Sequence, residues 1–168
     1  MVKWVVCKHD FDWTNFKHVR ALINQYSTLK EALHDKLDTY GRTLIWDLER
    51  YIEMTQFPPL RQAVLQGRLD QKPCEQICAE LERDFGVTYS TYYLSSLISN
   101  EIPKTIATTA LRWKLLVETP KDQLKVCNKC GRALPRHPLF YTKNNGRKDG
   151  LQSACRECER ARRIQRGE

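Results

Sequence analysis

Two short cysteine pairs, Cys127-x₂-Cys130 and Cys155-x₂-Cys158, separated by 24 residues, constrain this chain more than anything else in it. A Cys-x₂-Cys turn aims two sulfurs at one point, and tetrahedral zinc takes four such soft ligands. The two knuckles therefore predict a single shell of Cys127, Cys130, Cys155 and Cys158. With thiolate in all four positions no place is left for water or substrate, so the expected Zn²⁺ is structural. Two disulfides are the competing pattern. Against them stand an odd total of seven cysteines and the segment Met1–Cys7, too short for a secretory leader and followed at once by Lys8, His9 and Asp10. The intervening loop suits a small metal module. Gly131 follows the first knuckle, where positive φ is commonly required, Phe140 and Tyr141 can cover the metal, and Asn145-Gly146 and Asp149-Gly150 are turn pairs.

The charge of the chain sits on the same segment. Lys125 to Glu168 holds 12 Lys and Arg against 4 Asp and Glu, whereas Met1 to Leu124 holds 16 of each, so the formal +8 is local. Cationic charge concentrated on a small stapled unit focuses a field to which phosphate backbones respond. After Cys158 the run to Arg166 is helix-permissive and dense in arginine, whose planar fork grips phosphate, or guanine O6 and N7, with two hydrogen bonds. The nucleic-acid-contacting set expected here is Arg132, Lys143, Arg147, Lys148, Arg156, Arg160, Arg162, Arg163 and Arg166. A solvated tail that serves only solubility is the alternative.

Upstream, the apolar pattern is helical. Phe16, Val19, Ile23, Tyr26, Leu29, Leu33 and Leu37 recur at helical intervals, with Thr14 or Asn15 as cap. Leu44, Ile45, Leu48, Tyr51 and Ile52 form a second stripe after Tyr40-Gly41. Pro58-Pro59 then ends that helix and opens another over Leu60–Leu69. No useful period-two alternation occurs, so any β structure belongs to the metal module and to an N-terminal strand or arm at Trp4–Val6. The fold class expected is mainly α: a helical bundle over 1–118, a linker over 119–124, and a four-cysteine zinc-ribbon or treble-clef-like module over 125–168 with a basic C-terminal helix.

Residues 74–100 carry the grammar of a helix-turn-helix. Ile77, Leu81 and Phe85 mark one helical face, Gly86-Val87 a turn, and Ser90 the cap of a second helix carrying Tyr93, Leu94, Leu97 and Ile98. Ser90, Thr91, Tyr92 and Ser95 are then the residues placed to meet base edges, with Ser96 beside them, although a helix poor in Arg, Asn and Gln reads sequence only modestly. Glu82 stands where such motifs commonly have a small residue. Ile102-Pro103-Lys104 is expected to break this helix. Thr105 should cap the next, with Ile106, Ala110, Trp113, Leu116 and Val117 on its inner side.

Two resemblances follow from these residues. The run Cys127-Asn-Lys-Cys-Gly-Arg-Ala-Leu-Pro, with Phe140-Tyr-Thr-Lys, Lys148-Asp-Gly-Leu and Cys155-Arg-Glu-Cys, resembles zinc modules of phage and mobile-element proteins that stand ahead of HNH nuclease domains. Ten residues follow Cys158 without a histidine, and His137 lies within the loop, so the resemblance implies binding and not cleavage. The stretch Leu44 to Ile106, with Pro58-Pro-Leu-Arg-Gln-Ala-Val-Leu-Gln and Glu75-Gln-Ile-Cys-Ala-Glu-Leu, resembles the promoter-reading domain of bacterial sigma factors and their phage-borne relatives. That resemblance implies double-stranded DNA as partner and, more weakly, RNA polymerase.

Other groupings invite a chemical reading. Cys74 and Cys78 lie four apart on a helix, and Cys7 with His9 is a Cys-x-His pair that would complete a second metal site with them. Buried free thiols are the plainer account. Asp35, Asp38, Asp47, Glu49 and Glu53 suit a solvated helical face better than a nuclease cluster. No apolar run has membrane-spanning length, and the expected setting is the cytoplasm of a bacterial or phage-infected cell. The functional expectation is a non-enzymatic zinc-containing DNA-binding protein, a transcription regulator or sigma-like factor of phage or mobile-element origin. The alternative is the DNA-binding part or accessory of a nuclease or recombinase whose catalytic residues lie elsewhere, and RNA is a third target class.

Overall fold

The computed structural model describes residues 11–34 and 39–167, of Leu33 and His34 the backbone alone. The chain divides into two compact units, Met1–Leu111 and Arg112–Glu168. The expected strand at Trp4–Val6, the Cys7/His9 pair, Asp35, Leu37 and Asp38 all lie outside the described residues.

The first unit is built from helices whose ends are written in local chemistry. Helix α1 spans Phe16–His34. The Asn15 side chain accepts the Lys17 backbone N–H at 3.0 Å, which meets one donor orphaned by the first helical turn. Helix α2 spans Thr39–Thr55. It starts before the expected boundary, because Gly41 is buried inside its first turns and is no punctuation there. Helix α3, Pro59–Leu69, opens with Pro59 in the first turn, where the missing N–H costs nothing. Helix α4, Cys74–Phe85, ends on Gly86 at φ +66°, whose N–H returns to the Glu82 carbonyl at 2.9 Å. Helix α5, Thr91–Ser96, is capped by Ser90, whose Oγ accepts the Tyr93 N–H at 3.2 Å.

The expected break at Pro103 does not occur. A five-residue π turn, Leu97–Glu101, carries α5 directly into α6, Ile102–Glu118. The Ile102 N–H reaches back five residues to the Leu97 carbonyl. This widened turn relieves the clash that a proline ring makes with the preceding turn of a regular α-helix. Thr105 is consequently an interior residue, and its hydroxyl bonds back to the Glu101 carbonyl at 2.7 Å instead of capping.

These helices converge on one apolar core. Val19, Leu48, Val64, Leu94 and Ile106 are wholly buried, and Ile77, Leu81 and Ile102 nearly so. Removing each such side chain from water contributes on the order of 1.5–3 kcal/mol. Helix α1 packs on α2 and α3, α3 on α4, α4 on α5, and the π turn returns to α1 and α3. Gly67 is where α3 and α4 approach closely: a Cβ there would stand 2.9 Å from Ile77 Cγ1. Two expectations about the core are corrected. Phe85 is 43% exposed, since it ends α4 beyond the packed stripe. On α6 the buried residues are Ile102, Pro103, Ile106, Ala107 and Ala110, all before the end of the first unit. Trp113, Leu116 and Val117, expected inside, are exposed at 37%, 46% and 65%, because these last turns belong to the second unit and only Leu115 of them packs on its core.

The second unit holds all the described β structure. The stretch 119–124, expected as a linker, contains the 3₁₀ turn Lys121–Gln123 and the first residue of β1. Strands β1, Leu124–Val126, and β2, Ala133–Pro135, form an antiparallel hairpin. Strands β3, Tyr141–Lys143, and β4, Leu151–Cys155, form a second. Helix α7, Arg156–Gln165, follows β4 without an intervening loop. The small core of this unit is Cys127, Phe140, Tyr141, Leu151 and Cys155. No helix among the described residues is long and apolar enough to cross a membrane.

Candidate metal centre

The two hairpins and α7 bring four sulfurs to one point. Cys127 leaves β1 and Cys130 closes the tight turn to β2; the Gly131 N–H bonds the Cys127 carbonyl at 2.9 Å and the Cys127 N–H bonds the Arg132 carbonyl at 2.9 Å. Gly131 sits at φ +70°, so the expectation of a left-handed residue after the first knuckle holds. Cys155 is the last residue of β4, and Cys158 lies in the first turn of α7. All four ligand atoms lie within 4.8 Å of one another. The Cys127–Cys158 and Cys130–Cys155 sulfur pairs are each 3.9 Å apart, and none of the four is in a disulfide. A tetrahedral ion bonded to sulfur at about 2.3 Å separates its ligands by about 3.8 Å. The four cysteines can hold a metal ion.

The electrostatics fit a cation. Burial opposes ionisation of Cys127, yet the N–H groups of Cys130, Cys155 and Lys129 outweigh it and hold the thiol down to about 6. Two of these donors are close, with Cys155 N at 3.2 Å and Lys129 N at 3.4 Å from the sulfur. The Arg132 guanidinium lowers Cys130 by donating to its sulfur, Nε to Sγ being 3.4 Å. Cys158, crowded by the Cys155 sulfur, by burial and by the other two sulfurs, is pushed up to about 12. Cys127 and Cys130 are held toward the thiolate while Cys158 resists ionisation, and a positive ion at the centre would favour the thiolate form there. Burial and the surrounding sulfurs also push Tyr141 up to about 12; its hydroxyl donates to the Lys125 carbonyl. Phe140 and Tyr141 are buried in one cluster with Cys127 and Cys155, the covering role expected of them.

The basic residues separate into two groups. Arg132 is engaged within the unit, donating to Cys130 and to Glu157, which also accepts Arg112 Nη2 at 3.1 Å. Arg156 donates through Nε to the Pro138 carbonyl at 2.6 Å. Arg160, Arg162 and Arg163 lie on the exposed last turns of α7 and Arg166 just past its end, while Lys143 ends β3 and Arg147 and Lys148 lie on the exposed turn that follows it. That turn is ordered by Asn144 N to Gly150 O at 2.8 Å and by Gly150 at φ +68°. In the first unit Ser90, Thr91, Tyr92 and Ser95 are all exposed, with Tyr92 at 85%, while the Ser90 hydroxyl is committed to its cap. A polar cleft of about 700 Å³ between the first knuckle, β4 and α7 was not foreseen from the sequence. Asn128 and Lys129 occupy the two middle positions of the first knuckle, and that placement is the signal that could have found them.

Among the described residues no second group of metal-capable side chains converges. Cys74 and Cys78 pack against the helical core, and Glu49 accepts the Tyr26 hydroxyl and Lys30. No protein-family model, curated protein or solved structure matches the chain.

Proposed function

We propose that this protein is a non-enzymatic DNA-binding protein in which Cys127, Cys130, Cys155 and Cys158 hold one structural Zn²⁺. The observation that carries the reading is the attachment of α7. Cys158 lies in its first turn, so the ion that closes the cluster also fixes a helix bearing Arg160, Arg162 and Arg163, with Arg166 at its end. Arginines held by a rigid staple bind phosphate with less loss of freedom than arginines on a tail. Hairpin, second hairpin and ligand-bearing helix, in that order, suit a treble-clef-like module. The donor set favours zinc, because four thiolates in tetrahedral array select zinc or an iron–sulfur centre and the spacing fits one ion.

Helices α4 and α5 are the helix-turn-helix of this reading, offering Thr91, Tyr92 and Ser95 to a groove. Thr91–Ser96 holds no cation, so the affinity comes from the metal unit and the helix pair adds shape and hydrogen bonds. A role in transcription control in a phage or mobile element, with RNA polymerase as a further partner, follows from the sequence resemblances and ranks below DNA binding itself.

Gel shift on duplex DNA, run beside a Mg²⁺-dependent cleavage assay, tests the reading. The parent should retard duplex without nicking it, and Cys127→Ser/Cys130→Ser should lose retention at moderate salt. Equal binding by that variant removes the metal unit as anchor, and nicking by the parent overturns the non-enzymatic assignment.

A further inference from the structure

We infer that the cleft between the first knuckle and α7 is a seat for one phosphodiester strand of duplex DNA, entered when the last turns of α7 occupy the adjoining groove. The inference rests on the DNA-binding reading and assigns the contact within it. One wall of the cleft is Asn128 and Lys129, Ser153 of β4 also lines it, and the other wall is Arg162 and Arg163 of α7 with Arg166 at the helix end. The walls are fixed relative to each other twice. Cys127 and Cys130 tie the knuckle to the cysteines that flank the start of α7, and the Asn128 N–H donates to the Ser153 carbonyl at 3.1 Å.

The chemistry of the lining selects the ligand. Lys129 and the three arginines supply four cations, and among the described residues none of these side chains has a hydrogen-bond or ion-pair partner. The one lining carboxylate, Glu159, already accepts the Thr142 hydroxyl. Side-chain amides, the Ser153 hydroxyl, Ala154, Ala161 and the Cys158 side chain at the edge of the metal cluster complete the lining, and no aromatic ring is present. A site for splayed single-stranded bases would offer rings for stacking. This one offers donors suited to the acceptor oxygens of a sugar–phosphate strand. Residues 160–167 are exposed, so the C-terminal part of α7 presents a bare helical surface, and the DNA major groove, about 12 Å wide, admits a helix. With α7 in the groove, the bordering strand falls into the cleft beside it. The contact is to backbone and therefore indifferent to sequence.

The test compares equal charge changes at two places in the zinc-loaded full-length protein. Asn128→Asp puts a carboxylate into the cleft, and Asn145→Asp puts one on the exposed turn between β3 and β4. Fluorescence anisotropy on two unrelated duplexes of about 20 base pairs should show about tenfold weaker binding for Asn128→Asp on both and little change for Asn145→Asp. Arg162→Ala/Arg163→Ala should reduce the slope of log K against log salt by about 0.9 for each lost contact. Lys143→Ala/Arg147→Ala/Lys148→Ala, with more charge removed, should reduce it less. Zinc content and far-UV circular dichroism equal to the parent's certify the variants as folded. If Asn128→Asp and Asn145→Asp bind alike, or the turn triple loses more slope than the cleft double, the seat is elsewhere while DNA binding stands. Tighter binding of single strands than of duplex by the parent also overturns the seat. A folded, zinc-loaded parent that binds no nucleic acid at low salt defeats the functional reading and the inference with it.

Discussion

Arg132 shows at the scale of one residue why composition and role differ. In the sequence it is one more cation in a basic segment; in the fold its guanidinium is divided between the Cys130 sulfur and the Glu157 carboxylate. A shell of four thiolates around a divalent ion carries net negative charge, and a guanidinium against it compensates part of that charge while orienting a ligand. Arg132→Ala should therefore weaken metal retention by about 10–100-fold, measured by competition with a chromogenic chelator. An unchanged metal affinity would leave Arg132 with only its ion pair to Glu157. Lys125 makes the same point: it bonds Asp149 and the Leu151 carbonyl, which commits its charge to tying β1 to the second hairpin.

Among the elements, the α4–α5 pair was legible nearly to the residue and the α5–α6 passage was not. A Gly in the left-handed region and a Ser cap act over three or four residues, so their chemistry is complete in the local sequence. Ser90→Ala should cost about 1 kcal/mol, read as a lower midpoint of chemical denaturation of the helical unit; no change would mean that the cap at 3.2 Å is not a stabilising bond. Pro103 reads as a break by the same local logic, but the outcome there is set by packing. Leu97, Ile98, Ile102, Pro103 and Ile106 are all buried, and keeping that run inside the core favours a widened turn over an interrupted helix. The exposed Trp113, Leu116 and Val117 reflect a similar limit, because a helical stripe shows which residues share a face and not how far along the helix the core extends.

For the molecule as a whole, the two units depend on different forces. The helical unit has a continuous apolar core, whereas the buried residues of the second unit are few, Cys127, Pro135, Phe140, Tyr141, Leu151 and Cys155, and a core of that size is expected to need a staple. Removing metal with a strong chelator should unfold Arg112–Glu168 and leave most helical signal in place, followed by circular dichroism and by dispersion of amide resonances. Retention of a folded second unit in metal-free, reduced protein would show that its core suffices. The sequence by itself determined the two cysteine knuckles, the caps and turns, and the part of the chain on which charge collects, because each is a matter of residue type at short, fixed spacing. Only the tertiary structure decided which arginines are engaged internally, that a proline could be carried through a helix, and that the first knuckle and α7 leave a cleft between them. Those outcomes depend on partners far apart in the chain, such as Arg132 and Glu157, whose meeting no local pattern encodes.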